Sequence, residues 1–369
     1  MATASDIKKL AGSIDTGVVF VGKQKPLKHL KMVVVGAGVI GGSVGAWIAE
    51  KYDNIYFHDL PENNELMRKG GITTFPQGKK DKAVRVGVKV LDNLSEAADA
   101  DVVIIGVKNY SLDTVAKRVK EAVGDRPVIV GMQNGRDNQE ILPKYFTKVV
   151  YCVISYNAWT DGPMLIGYQK KGPLHLGTRH NELQQELDEI ARIFNLGVET
   201  HVTQALGDAV HSKLVINLTN SLTTLVGMSF KPISDMAIFQ KLLSNLLWEG
   251  VQIVKAAGFR ESRLGGMPPW RMLWMSTKLP RAVTKGLFAR NVKKMVISSM
   301  AQDVIQRACG DSELDSLNGY LLNLAAKHRV DAPYNRAIYD LCKREFCKPA
   351  FEPLDVKTVW EEVQKRVRS

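Results

Sequence analysis

Lys213, Asn217 and Asn220 are spaced so that, at about 100° per residue, an ammonium and two amides share one face of a helix. That combination suits carbonyl reduction. A ketone that receives a hydride on carbon needs a proton on oxygen, and a fixed cation or donor in a dry site stabilises the developing alkoxide. A lysine can supply both. The competing reading is a solvated helix face carrying a lysine and two asparagines, since exposed faces are commonly polar.

A second constellation lies near the other end of the chain. Gly36-Ala-Gly-Val-Ile-Gly41 follows the apolar run Lys31-Met-Val-Val-Val35 and leads into a helix-like stretch, the context that a dinucleotide-binding loop requires. In that reading Gly36 permits the tight turn, Gly38 lets the backbone approach a pyrophosphate, and Gly41 lets helix and strand pack closely. The backbone N–H groups of Val39 and Ile40 open the helix, whose dipole favours phosphate. Asp59, in Tyr56-Phe-His-Asp-Leu60, stands eighteen residues after Gly41. A carboxylate there accepts hydrogen bonds from ribose hydroxyls and repels a 2′-phosphate. No arginine follows before Arg68, so the pattern leans to NADH over NADPH; the alternative is a carboxylate that only caps the loop.

Positioning these groups takes a regular framework. Lys31 to Val35 reads as a buried parallel strand. The pattern predicts a helix over Val39 to Lys51, strands at Asn54 to His58, Asp101 to Val107 and Pro127 to Met132, and a helix over Ser111 to Val123. Val84-Arg-Val-Gly-Val-Lys-Val90 alternates as a half-buried strand does, in a hairpin inserted into that series. Strands at Lys148 to Ser155, Leu165 to Gly167, Pro173 to Gly177 and Val198 to Val202 and a helix over Leu183 to Phe194 are expected next, and from Gln204 the reading is almost entirely helical. Alternating strands and helices imply right-handed crossovers and a mostly parallel sheet. The expected fold class is α/β. An N-terminal extension (1–29) precedes a Rossmann-like, doubly wound, dinucleotide-binding domain (30–203), and an all-helical substrate and catalytic domain follows (204–369).

Composition narrows the function classes. The chain has 369 residues, 45% hydrophobic and 24% charged, which is ordinary for a soluble globular protein and excludes a disulfide-stapled miniprotein. Cys152, Cys309, Cys342 and Cys347 show neither CxxC pairs nor histidine partners at zinc-finger spacing, so no metal is indicated and a reducing compartment fits. No apolar run is long enough for a membrane span and none resembles a signal peptide, so a cytoplasmic location is expected. The net charge of +12 invites a nucleic-acid reading, but no helix-turn-helix, RNA-binding aromatic motif or zinc module accompanies it. The excess sits in two places: +4 over residues 1–31 and +8 from Arg260 to Lys294.

Four separated motifs give the chain a resemblance to the ketopantoate reductase (2-dehydropantoate 2-reductase) family over about residues 31–346. They are the glycine loop, Val107-Lys108, Gln133-Asn134-Gly135, and a two-part helical motif. The latter comprises Lys213-Leu-Val-Ile-Asn217-Leu-Thr-Asn220, and Ser298-Ser-Met-Ala-Gln-Asp303 with Glu313-Leu-Asp-Ser-Leu-Asn-Gly319. The resemblance implies Lys213 as general acid and Glu313 as the acidic partner that holds or charges it. It implies Asn217, Asn220 and Ser299 as contacts to the substrate carboxylate and hydroxyl, with Asp303 secondary. Lys108 would lie near cofactor and substrate, and Asn134 between them. The implied reaction is hydride transfer from NAD(P)H to a small anionic 2-oxo acid, foremost ketopantoate to pantoate. Another 2-oxo or hydroxy acid, or a non-catalytic NAD(P)-binding regulatory protein, is the alternative, and a homodimer is one possible assembly. Two departures stand out. The second amide falls seven residues after the lysine where better-known members have it at eight, the place of Ser221 here. Asp59 stands where NADPH-dependent reductases generally offer an arginine close by, so the resemblance implies NADP and Asp59 leans to NAD.

The basic segment near 260–295 includes Gly265-Gly-Met-Pro-Pro-Trp-Arg-Met-Leu-Trp-Met275. Three readings compete: an insertion that closes the active-site cleft, a subunit or partner contact, and a membrane-surface element.

Overall fold

A computed structural model describes residues 18–19, 28–265, 268–293, 295–306 and 312–367. The rest of the expected N-terminal extension, Gly266, Met267 and Lys294 of the basic segment, and Cys309 lie outside the described residues. The strands are β1 (Val18–Val19), β2 (Met32–Val35), β3 (Ile55–His58), β4 (Ile72–Pro76), β5 (Val84–Val86), β6 (Lys89–Val90), β7 (Val102–Ile105), β8 (Val128–Gly131), β9 (Val149–Ile154), β10 (Ala158–Gly162), β11 (Leu165–Tyr168), β12 (Leu174–Gly177) and β13 (Thr200–Thr203). The larger sheet runs β1-β13-β12-β9-β8-β7-β2-β3-β6, with β6, β3, β2, β7, β8 and β9 mutually parallel.

Alternation along the strands divides the core into two layers. Met32, Val34, Ile104 and Val130 face α1 (Val39–Ala49) and α4 (Gln184–Gly197). Val33, Val35, Val103, Ile105 and Ile129 face α3 (Asn109–Val123) and the start of α5 (Leu206–Leu225). A strand buried on both faces must be apolar at every position, which is why the first strand reads as an unbroken Met-Val-Val-Val.

A smaller sheet, β10-β11-β4-β5, covers the other side of α1. Residues Gly41 to Ile48 are therefore buried all round, as a helix apolar on every face must be. Trp47 packs on Tyr156 and Tyr168, with ring centroids 5.3 and 5.0 Å away, and donates from Nε1 to the Thr74 hydroxyl at 3.2 Å.

Three local readings need correction. Residues 84–90 are not one strand: Val84–Val86 joins β4 antiparallel in the small sheet, while Lys89–Val90 adds to the edge of the large one beside β3. Period-two alternation is shared by one long strand and two short ones, and Gly87 and Val88 between them carry no signal of a change of sheet. Helix α2 (Pro61–Gly70) goes unread because it buries only Asn64 and Met67, leaving little apolar period; its start signals are Pro61 and Glu62 in the first turn. β10, mostly half-buried, was likewise not expected.

After β13 the chain is helical through α5, α6 (Met236–Ala256), α7 (Trp270–Lys278), α8 (Arg281–Val292), α9 (Tyr320–Lys327), α10 (Pro333–Phe346) and α11 (Val356–Val367). Leu214, Leu218 and Leu222 of α5 share a core with Phe239, Leu242 and Leu246 of α6. Two π-helical stretches, Gln302–Gln306 and Asp315–Gly319, flank the bundle's contact with the sheet; such irregular turns recur at functional sites. Among the described residues no helix is long and apolar enough to cross a membrane.

Candidate active site

The glycine loop has the geometry its spacing implies. Gly36 adopts φ +91°, and a Cβ there would lie 2.6 Å from Val107 Cγ1. A Cβ on Gly38 would meet nothing within 4 Å, so the loop presents open space at the start of α1. One on Gly41 would fall 2.1 Å from the Gly36 carbonyl oxygen. Val39 and Ile40 form the first helical turn, and the structure shows no side-chain cap on that end, leaving its N–H groups for an anion. These features fit a dinucleotide pyrophosphate. Gly106, unread in the sequence, completes the fit: its Cβ would stand 2.7 Å from the Gly36 oxygen. Gly41→Ala forces the loop apart, and we expect at least about tenfold weaker NAD(P)H binding with roughly 1–3 kcal/mol lost stability, read by cofactor fluorescence titration and denaturant unfolding.

Asp59 ends β3 and braces this loop. Its Oδ2 accepts the Ala37 N–H at 2.5 Å, and its Oδ1 accepts the Leu60 N–H at 2.7 Å and the Asn63 amide at 2.8 Å. The carboxylate thus does cap the loop. Arg68 is engaged with Asp92.

At the junction between sheet and bundle, Lys108 precedes α3 and donates from Nζ to Asp303 Oδ2 at 2.8 Å, with Glu313 Oε2 at 3.9 Å. Both carboxylates are buried. Asn134 Nδ2 donates to Glu313 Oε2 at 3.4 Å, and its own carbonyl accepts from Asn109 Nδ2 at 2.8 Å. Burial pushes the Glu313 pKa up, partly offset by the Lys108 charge. Burial alone would lower Lys108, but attraction to Glu313 and Asp303 outweighs it and holds the ammonium above its ordinary range.

Lys213 projects from α5 and lines a small cavity with Gln133, Asn134, Gly135, Asn138 and Val210; Asn134, which donates to Glu313, links that cavity to the carboxylate cluster. Burial lowers its pKa from 10.5 to about 8, and Glu313 pulls the other way. Lys213 makes no salt bridge among the described residues; the cation nearest Glu313 in a direct contact is Lys108, and Glu313 acts on Lys213 only through longer-range attraction. The acidic partner implied for Lys213 is thus shared with a second lysine.

One turn along α5, Asn217 is buried and its Nδ2 has no hydrogen-bond partner among the described residues, a cost that a ligand acceptor would remove. Asn220 is half-buried and accepts the Thr219 hydroxyl at 3.4 Å. Ser221, the residue at the eight-residue spacing, is fully buried, donating to the Leu218 carbonyl and accepting from Asn318 Nδ2 at 3.0 Å. Its partners are therefore those of the core. Of the adjacent serines, Ser298 caps the helical turn by accepting the Ala301 N–H at 3.1 Å, and Ser299 is half-buried beside it.

Gln133 and Gly135, named in the sequence only as parts of a motif, take supporting roles here, and His211 went unread. Gln133 Nε2 donates to the Ile105 and Val107 carbonyls at 2.8 and 3.0 Å, tying the ends of β7 and β8 together. Gly135 takes φ +80° and packs against the Ser316 carbonyl. His211 faces the Gly207 carbonyl through Nδ1 at 2.7 Å, so Nδ1 carries the proton and Nε2 accepts from Tyr320 at 2.8 Å. Burial drives its pKa down to about 4, and the neutral ring links α5 to α9. A helix-borne histidine gives no signal of these partners in one dimension. Among the described residues no cluster could hold a metal.

Comparison with known proteins gives a concordant picture. The sequence model of ketopantoate reductase PanE/ApbA matches residues 32–181, and that of the ketopantoate reductase PanE/ApbA C terminus matches 205–345. The 2-dehydropantoate 2-reductase of Archaeoglobus fulgidus is 23% identical over 318 residues, covering 85% of this chain and 97% of the relative. That of Halobacterium salinarum is 24% identical over 320 residues, with 85% and 98% covered. Among solved structures, a PanE/ApbA family ketopantoate reductase from Ralstonia eutropha superposes with a TM-score of 0.66 at 20% identity, covering 90% of this chain and 99% of that one. D-mandelate dehydrogenase with NADH and anilino(oxo)acetate superposes at 0.69 and 16% identity, with the same coverage.

Proposed function

Because the chain belongs to the ketopantoate reductase family, we propose that it reduces 2-dehydropantoate to pantoate with NAD(P)H, at the junction where Lys108, Asn134, Lys213, Asp303 and Glu313 converge. The nicotinamide, when bound, supplies the hydride that reaches the ketone carbon. Lys213 gives its proton to the carbonyl oxygen, so the ketone becomes a secondary alcohol and the lysine is left neutral, the form that burial favours. The single observation that carries this reading is the place of Lys213, half-buried on the cavity wall beside Asn134 and Asn138, where desolvation moves its pKa down to about 8, close to the working pH at which an acid is most effective.

Asn217, with its unpartnered amide N–H, and Ser299 are the groups we assign to the substrate carboxylate, with Asn220 on the same helix face. Lys108 holds Asp303 and Glu313 in place and keeps positive charge beside an anionic substrate. Asn134, fixed by Asn109, orients Glu313. We place the reaction in the cytoplasm, where buried free thiols such as Cys152 and Cys342 remain reduced.

Assay of a panel of 2-oxo acids with both cofactors tests the assignment. Ketopantoate is expected to give the highest kcat/KM, and tenfold better turnover of another 2-oxo acid would replace it. For the cofactor we propose NADH, supported by the Asp59 carboxylate at the end of β3. Asp59→Asn keeps an oxygen for the Ala37 N–H but removes the charge. It is expected to narrow the NADH-to-NADPH ratio of kcat/KM by about tenfold, one charge–charge contact's worth; an unchanged ratio makes Asp59 a loop brace only.

A further inference from the structure

Helices α7 and α8 rest on the bundle along a narrow line. In α7 only Trp270 and Leu273 are buried. In α8 only Thr284, Phe288 and Val292 are screened, at successive turns of one stripe. Gln240 Nε2 donates to the Thr284 hydroxyl at 2.8 Å, and the Phe288 ring lies 6.1 Å from that of Phe239.

The outward face differs from the other described surface. Residues 268–293 contain six basic residues, Arg271, Lys278, Arg281, Lys285, Arg290 and Lys293, and no acidic one. All six are exposed, and none forms a salt bridge among the described residues. Interleaved with them are Trp274, Met275, Leu279, Val283 and Leu287, five of the eleven exposed large apolar side chains among the described residues. Val283 is 67% exposed.

Exposed cations that form no salt bridge, set among exposed apolar side chains, fit a partner that is negative at its surface and apolar just beneath. An indole such as that of Trp274 settles at the headgroup level of a bilayer. A second copy of this chain fits poorly, because a two-fold contact would set the same six cations against each other. Protein interfaces also tend to exclude charge from their centres, whereas here the cations run through the apolar set. We propose that the outer face of α7 and α8 docks peripherally on an anionic lipid bilayer, independently of the reaction assigned above.

Sedimentation of the full chain with phosphatidylcholine vesicles, with and without phosphatidylserine, tests this at physiological salt. We expect binding to the phosphatidylserine vesicles alone, reduced about tenfold or more near 0.5 M salt. The variants Trp274→Ser/Leu279→Ser/Val283→Ser and Arg281→Glu/Lys285→Glu should each weaken it about tenfold, with thermal midpoints unchanged as the check on folding. Failure to sediment with phosphatidylserine vesicles, or equal binding to both vesicle types, overturns the proposal. So does a dimer in solution that the apolar variant converts to monomer, which would make this face a subunit contact.

Discussion

Lys213→Ala is expected to lower kcat by roughly 10²–10⁴-fold, the range removed with a general acid, while NAD(P)H binding is retained. The pH profile identifies the role. Lys213 must be protonated to act, and its pKa is pushed down to about 8, so reduction by the wild type should be flat below pH 8 and fall tenfold per unit above it. The alanine variant loses that limb. Stability moves the opposite way. Between about 8 and the ordinary 10.5 the unfolded chain binds more protons at this lysine than the folded one, so wild-type stability rises with pH through that window. Below pH 8 the cost of burying the ammonium is fully present, and the variant is relieved of it. An inactive Lys213→Ala protein that is no less stable than the wild type at pH 7 therefore reports lost chemistry, not lost folding. Near-normal turnover removes Lys213 from the acid's role.

Lys108→Met is expected to have the largest effect on stability. It removes from the buried Glu313 the cation in direct contact with it, and from Asp303 one hydrogen-bonded partner. Removing one partner of a buried ion pair costs about 3–5 kcal/mol. The Lys108 side chain retains 31% exposure, so solvent screening places the loss at or below the lower end of that range. Denaturant unfolding at pH 7 measures it. Glu313, already pushed up by burial and held back by the Lys108 charge, would rise further, so the deficit is present above its unfolded value and shrinks as pH falls and it takes up a proton. Replacing Asp303 by Leu in the same protein should recover part of the loss, because the two side chains are coupled. A catalytic signature accompanies this. A Glu313 carboxyl pushed further up carries less negative charge to support the Lys213 ammonium, so the activity limb near pH 8 should move to lower pH. Unaltered stability and an unmoved limb would show that the Lys108 cluster has no energetic weight.

The glycine loop, the strand before it and Asp59 were legible because their requirements are local. A positive φ at Gly36 and the close approach at Gly41 are satisfied within a few residues. The helix face of Lys213, Asn217 and Asn220 follows from helical periodicity alone. Helix α2 and the change of sheet between Val86 and Lys89 were not legible, since one buries too little to pattern its residues and the other obeys the same alternation as a single strand. The resemblance supplied Glu313 and Asp303 as site residues, but it paired Glu313 with Lys213, whereas the folded chain brings Lys108 closer. Ser221 and Asn220 could not be told apart by spacing. Burial of Ser221 against Asn318, which lies in another element, separates them.

By itself the sequence determined a dinucleotide loop, a strand–helix alternation and a lysine-bearing polar helix face, because each depends on residues near one another in the chain. Only the tertiary structure decided which charges meet. Lys108 and Asp303 are 195 positions apart and Asn134 and Glu313 are 179 apart, and the pKa shifts of Lys108 and Glu313 arise from burial and from fields that act through space. The basic excess likewise became a surface only when α7 and α8 turned one stripe onto the bundle and left their cations and apolar side chains facing outward.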